Sequence, residues 1–129
     1  MKELLASIKN CRVCEKHLDP HPVLTAHPES RIVVIGQAPG LKVHTTGIPW
    51  DDKSGDNLRS WMGIDKATFY DPKQIALIPM GFCYPGRGRS GDLPPRKECA
   101  PLWHHQLHGQ MRNVQPTVLV GQYAQGYYL

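Results

Sequence analysis

The sequence predicts an α/β fold of three layers, with helices on both faces of a short parallel sheet. Three observations carry this. Ile32-Val33-Val34-Ile35 is an unbroken β-branched run ending in Gly36-Gln37-Ala38-Pro39-Gly40, the pattern of a strand buried on both faces. Gln74 to Ile78 and Thr117 to Val120 are further short apolar runs, closed by Pro79 and Gly121. Helically spaced stretches alternate with them, and right-handed crossovers assemble that alternation into a parallel sheet.

A first helix is expected over Lys2 to Lys9, because Leu4, Leu5 and Ile8 share one face. Cys11-Arg12-Val13-Cys14 follows at its end, and the Pro-bearing run from His17 to Ser30 reads as an extended connection. After the first strand and its Gly/Pro loop, Lys53-Ser54-Gly55-Asp56 signals a helix start with Ser54 as cap. Leu58, Trp61 and Met62 give that helix an apolar stripe, and Gly63 stops it. Phe82 to Pro95 is rich in Gly and Pro and reads as a loop. A helix is expected from about Arg96 to Arg112, with Cys99, Leu102, Trp103, Gln106, Leu107, Gln110 and Met111 along one side. Gln122 to Leu129 begins another helix after the third strand. Residues 1–129 are expected to form a single domain belonging to a longer protein, since the sequence stops partway into that helix.

The net charge is +4, with 7 further His residues, which suits a polyanionic partner. The apolar fraction of 40% excludes a disordered chain. No apolar run is long enough to cross a membrane, and the charged start is not a signal peptide. A cytoplasmic, reducing location is expected, where cysteines bind metal or do chemistry more often than they form disulfides.

The loop after the first strand lies at the carboxyl end of the sheet, where open α/β sheets bind ligands. Gly36 and Gly40 allow close approach to the backbone, and Pro39 stiffens the turn. Thr46-Gly47-Ile48-Pro49-Trp50 is a second turn ending in a large aromatic. A backbone-lined cup beside an indole suits a flat, hydrogen-bonding ring; the plainer reading is a turn and a core tryptophan. Asp51 and Asp52 are the nearest carboxylates and His44 a donor in the same loop, unless all are simply solvated.

The cysteines follow C-x2-C-x68-C-x15-C, as Cys11, Cys14, Cys83 and Cys99. A C-x-x-C pair lets one turn present two thiolates to a single centre. The crossovers can bring Cys83 and Cys99 to the same place. Four thiolates suit tetrahedral zinc or an iron–sulfur cluster, and independent buried thiols are the alternative.

Together these residues resemble the uracil-DNA glycosylase superfamily, and within it the iron–sulfur branch called family 4. Gly36-Gln37-Ala38-Pro39-Gly40 is similar to its Gly-Glu-Gly/Ala-Pro-Gly, and Thr46-Gly47-Ile48-Pro49-Trp50 to its Thr-Gly-x-Pro-Phe. Lys53-Ser54-Gly55-Asp56-Asn57-Leu58 resembles Gly-Lys-Ala-Gly-x-x-Leu. Cys83-Tyr84-Pro85 and Leu93-Pro94-Pro95-Arg96-Lys97-Glu98-Cys99 resemble Lys-Cys-Arg-Pro and Pro-x-x-x-Glu-x-x-x-Cys. Pro116-Thr117-Val118-Leu119-Val120-Gly121 resembles the segment before the family's fourth strand.

The resemblance implies a monomeric base-excision enzyme. It would flip uracil or another deaminated base out of DNA and hydrolyse its N-glycosidic bond. Gly36, Gln37, Ala38, Pro39 and Gly40 would bind the base, Trp50 would stack on it, and Arg87 and Arg89 would meet DNA phosphates or remain solvated. A 4Fe–4S cluster (zinc being the alternative) would sit on Cys11, Cys14, Cys83 and Cys99. Three departures bear on specificity. Gln37 replaces the family's Glu, and Pro79 stands at its uracil-reading Asn. The His-Pro-Ser segment is expected beyond Leu129. Gln37, Asp51 and His44 are then the candidate catalytic residues. Two other readings compete: a non-catalytic iron–sulfur nucleic-acid binder, and a small-molecule α/β enzyme. The second is weakened by the lack of G-x-G-x-x-G or a Gly-Lys-Ser/Thr phosphate cradle.

Overall fold

The structure is a computed structural model and describes residues 1–129. Its strand β1 (Ile32–Gly36) is central, with β2 (Ile75–Pro79) on one side and β5 (Thr117–Leu119) on the other, all parallel. Val33 stands opposite Ala76 and Thr117, and Gly36 opposite Pro79, so the loop after β1 and the end of β2 emerge together.

Alternation along the strands feeds two cores. Val33, Ile35, Ala76 and Ile78 meet Leu4 and Ile8 of α1 (Lys2–Lys9), Leu107 of α5 (His105–Gly109) and Ala124 of α6 (Gln122–Tyr128). Val34, Ile75 and Leu77 meet Leu58 of α3 (Lys53–Met62) and Phe69 of α4 (Lys66–Phe69) on the opposite face. Helices therefore cover both faces, as the alternating sequence predicts. The outer edge of β2 is also covered: Thr25 pairs antiparallel with Leu77 through reciprocal bonds of 3.0 and 2.8 Å. An otherwise bare strand edge is thereby closed to other chains.

Several local expectations are corrected. A helix, α2 (Leu41–Thr46), fills part of the expected loop and ends at Gly47 with φ 73°. The cap of α3 is Asp52, not Ser54: its Oδ1 accepts the Gly55 N–H at 2.9 Å. Gly63 does stop α3, in the left-handed region at φ 69°. The Gly-rich segment holds a two-stranded antiparallel ribbon, β3 (Arg87–Gly88) and β4 (Gly91–Asp92). The helix expected over Arg96 to Arg112 is shorter, and it opens with a π-helical turn over Ala100–His104. Pro101 lies in its first turn, where no intrahelical N–H bond is needed. The buried face runs through Ala100, His104, Leu107 and Met111, and Leu102, Gln106 and Gln110 lie outside.

Candidate functional site

At the carboxyl end of the sheet lies a cavity of about 300 Å³. Its lining includes all of Gly36, Gln37, Ala38, Pro39 and Gly40, with Trp50 as one wall. The amide N–H groups of Gln37, Ala38 and Gly40 have no acceptor within the chain. They point to water or a ligand for their hydrogen bonds. Pro79 and Gly121, which end β2 and follow β5, complete the floor with Leu77 and Val120.

Trp50 is held in place by its neighbours. It is the one non-glycine residue with positive φ, at 60°, a conformation that costs of order 1–3 kcal/mol and needs support. The buried Arg59 gives that support, its Nη1 donating to the Trp50 carbonyl at 3.3 Å and to the Tyr70 hydroxyl at 3.2 Å. Tyr70 in turn donates to the Pro49 carbonyl at 2.7 Å. The Arg59 charge is paired with Asp56 at 2.6 Å and lies 5.0 Å from the Phe69 ring centre. Gly55 is needed because any Cβ there would collide with the Trp50 carbonyl.

The candidate acid–base residues separate. Gln37 lines the cavity and turns its Oε1 toward Gly121. Asp52 also lines it, but one of its oxygens is occupied by the helix cap. Asp51 and His44 lie outside the lining. His44 belongs to a neighbouring groove with Tyr84, and its Nε2 is 3.4 Å from Asp19. Arg87 and Arg89 are exposed on the ribbon and form no ion pair. Asp92, on the facing strand, lines the cavity, which no sequence pattern signals.

Beneath Pro79 sits a second group that the sequence pattern hid. His104 is buried, and its Nε2 lies 2.8 Å from the Pro79 carbonyl. A carbonyl only accepts, so Nε2 carries the proton and Nδ1 accepts from the Tyr128 hydroxyl at 2.6 Å. Tyr128 then accepts from His108 Nε2 at 2.7 Å. Burial pushes the His104 pKa down to about 4, so the ring is neutral at physiological pH.

The cysteines form a separate cluster. Cys11, Cys14, Cys83 and Cys99 line one small cavity with Leu18, Phe82 and Arg96. All are free thiols. Burial raises the Cys14 and Cys83 pKa values and takes Cys99 up to about 12. Arg96, bonded to Glu98 at 2.9 Å, lies close enough to Cys14 to offset some of that rise. As the side chains stand, no group of three or more His, Cys, Asp or Glu converges tightly enough to hold one metal ion. The donor set itself, four sulfurs and a nearby cation, has the chemistry of a thiolate-ligated metal group.

Fold and site together define a small parallel α/β protein with a cavity at the carboxyl end of its sheet. Residues 24–129 match the Uracil DNA glycosylase superfamily, and the chain belongs to that superfamily. That superfamily acts on DNA.

Proposed function

We propose that this protein is a DNA base-excision glycosylase that hydrolyses the N-glycosidic bond of uracil or another deaminated base. The observation that carries the reading is the cup: free backbone N–H groups and an indole wall around about 300 Å³, in a chain of this superfamily. That volume is at the small end for ligand sites, which suits one flipped base. Trp50 stacks on the base, and the N–H groups of the Gln37–Gly40 loop meet its oxygens. Those donors matter most as the base departs, when it takes up negative charge. Arg87 and Arg89 meet phosphates on either side of the flipped nucleotide, with no sequence information.

Cys11, Cys14, Cys83 and Cys99 would hold a 4Fe–4S cluster, supported by their shared cavity and by Arg96 as a counter-charge. The cluster's part is structural: it ties the turn after α1 to the segment that leads into the ribbon.

The test is abasic-site formation on oligonucleotides carrying uracil, hypoxanthine or xanthine, using metal-replete protein. Release of at least one base is expected; a folded, metal-loaded protein that releases none overturns the reading. A second reading, a non-catalytic nucleic-acid binder of the same fold, is favoured by Gln37 after β1, which supplies no carboxylate, and by Pro79 at the end of β2, which supplies no side-chain amide. It predicts salt-dependent DNA affinity without base release.

A further inference from the structure

We propose that Asp92, on the β4 strand of the ribbon, is the carboxylate that faces the reacting sugar. This inference rests on the glycosylase reading above. Hydrolysis of an N-glycosidic bond builds positive charge on the sugar, and a carboxylate beside it stabilises that charge and takes a proton from the attacking water. The first loop carries Gln37 and so has no carboxylate to offer.

The cavity lining contains two carboxylates, Asp52 and Asp92. Asp52 Oδ1 is bound to the Gly55 N–H at 2.9 Å and anchors α3. Asp92 has no ion pair, and its Oδ2 lies 3.6 Å from where a Cβ on Gly40 would stand. It therefore lies at the cup's edge, against the Gly40 end of the loop. The ribbon register sets Arg87 opposite Asp92, on the same face. One short ribbon thus presents a cation for the flanking phosphate and an anion for the sugar between them.

In the step, water gives its hydroxyl to the anomeric carbon. The carbon–nitrogen bond breaks, and its electron pair leaves with the base. The second proton of the water passes to Asp92 and then to solvent, and the departing base takes a proton from solvent.

The test compares the wild type with Asp92→Asn, an isosteric change at an exposed position, and with Glu3→Gln on α1 as a control. Asp92→Asn is expected to lower kcat about 100-fold or more, with little change in KM. Glu3→Gln should match the wild type. A second measurement needs no turnover: binding to DNA with a cationic pyrrolidine abasic analogue against a neutral tetrahydrofuran one. The wild type should favour the cation about tenfold, and Asp92→Asn should abolish that preference. Unchanged kcat in Asp92→Asn, or a cation preference that survives it, overturns the assignment. Absence of base release with an Asp92-dependent cation preference overturns the glycosylase reading and leaves the carboxylate's placement standing.

Discussion

The indole of Trp50 rests directly on Gly36. A methyl group built on Gly36 would stand 2.8 Å from Trp50 Cζ2, closer than real contacts allow. The last residue of β1 and the cup's aromatic wall are therefore fitted to each other, and each constrains what the other can be.

Gly36→Ala should force the ring outward. A loss of about 1–3 kcal/mol in unfolding free energy is expected, as for other overpacked sites, together with weaker binding of abasic-site DNA. Gly55→Ala should cost more, since its methyl group would meet the Trp50 carbonyl, which is backbone and cannot swing aside. Urea denaturation of both variants checks the order; a Gly55→Ala protein as stable as the wild type would contradict it.

Trp50→Ala should cost about 1–3 kcal/mol in binding to DNA with a flipped base, with Trp50→Phe recovering part of it. Fluorescence anisotropy on uracil-containing and undamaged strands separates this from phosphate binding. An equal loss on both substrates would mean that the ring does not stack on the base.

Arg59 and Tyr70 act through Trp50. Arg59→Ala is expected to destabilise the fold by about 1–3 kcal/mol, because it leaves the Trp50 carbonyl and Tyr70 hydroxyl short of a donor, while its ion-pair partner Asp56 is exposed. Tyr70→Phe removes the 2.7 Å bond to the Pro49 carbonyl and the 3.2 Å bond from Arg59, and should cost about 1–2 kcal/mol. Thermal denaturation gives both values.

Stability should fall as the solution is acidified, with His104 as one source. Its folded pKa is about 4 against an ordinary 6.5, so the unfolded chain binds the extra proton between those values. The neutral ring's advantage is whole above pH 6.5 and is lost progressively toward pH 4, by about 3 kcal/mol in all. His104→Gln keeps a donor for Pro79 without a titrating group. It should flatten that part of the profile in denaturation experiments run across the range.

Replacing Arg87 and Arg89 with Gln should reduce the slope of log affinity against log salt by about 2 on duplex DNA. Titrations at several salt concentrations measure it, and an unchanged slope would place both side chains away from the backbone.

The β-branched run of β1 and the apolar runs of β2 and β5 were legible because burial on both faces leaves one unmistakable pattern. The cup was legible for a related reason: a Gly/Pro loop after such a strand has only one end of the sheet to occupy. Asp92 was not, because a two-residue ribbon leaves no periodic trace and its approach to Gly40 spans half the chain. His104 escaped for another reason. The expected stripe runs through Cys99, Leu102, Trp103 and Leu107; Trp103 does pack against the core, but Leu102 is exposed, and the buried stripe is offset to Ala100, His104, Leu107 and Met111. Asp52 displaced Ser54 as cap because it sits one residue ahead of the helix, with its oxygen in reach of Gly55.

The pairing of Thr25 with Leu77 has a further consequence for handling the protein. The covering segment is continuous with the Pro20–Pro22 stretch that borders the cysteine cavity, and Val23 is tied to the Phe82 carbonyl at 2.8 Å. Damage at the thiols would loosen this guard before it reached the central strand. The first symptom of oxidised material would then be self-association through β2, seen as light scattering from a solution whose circular dichroism still looks native.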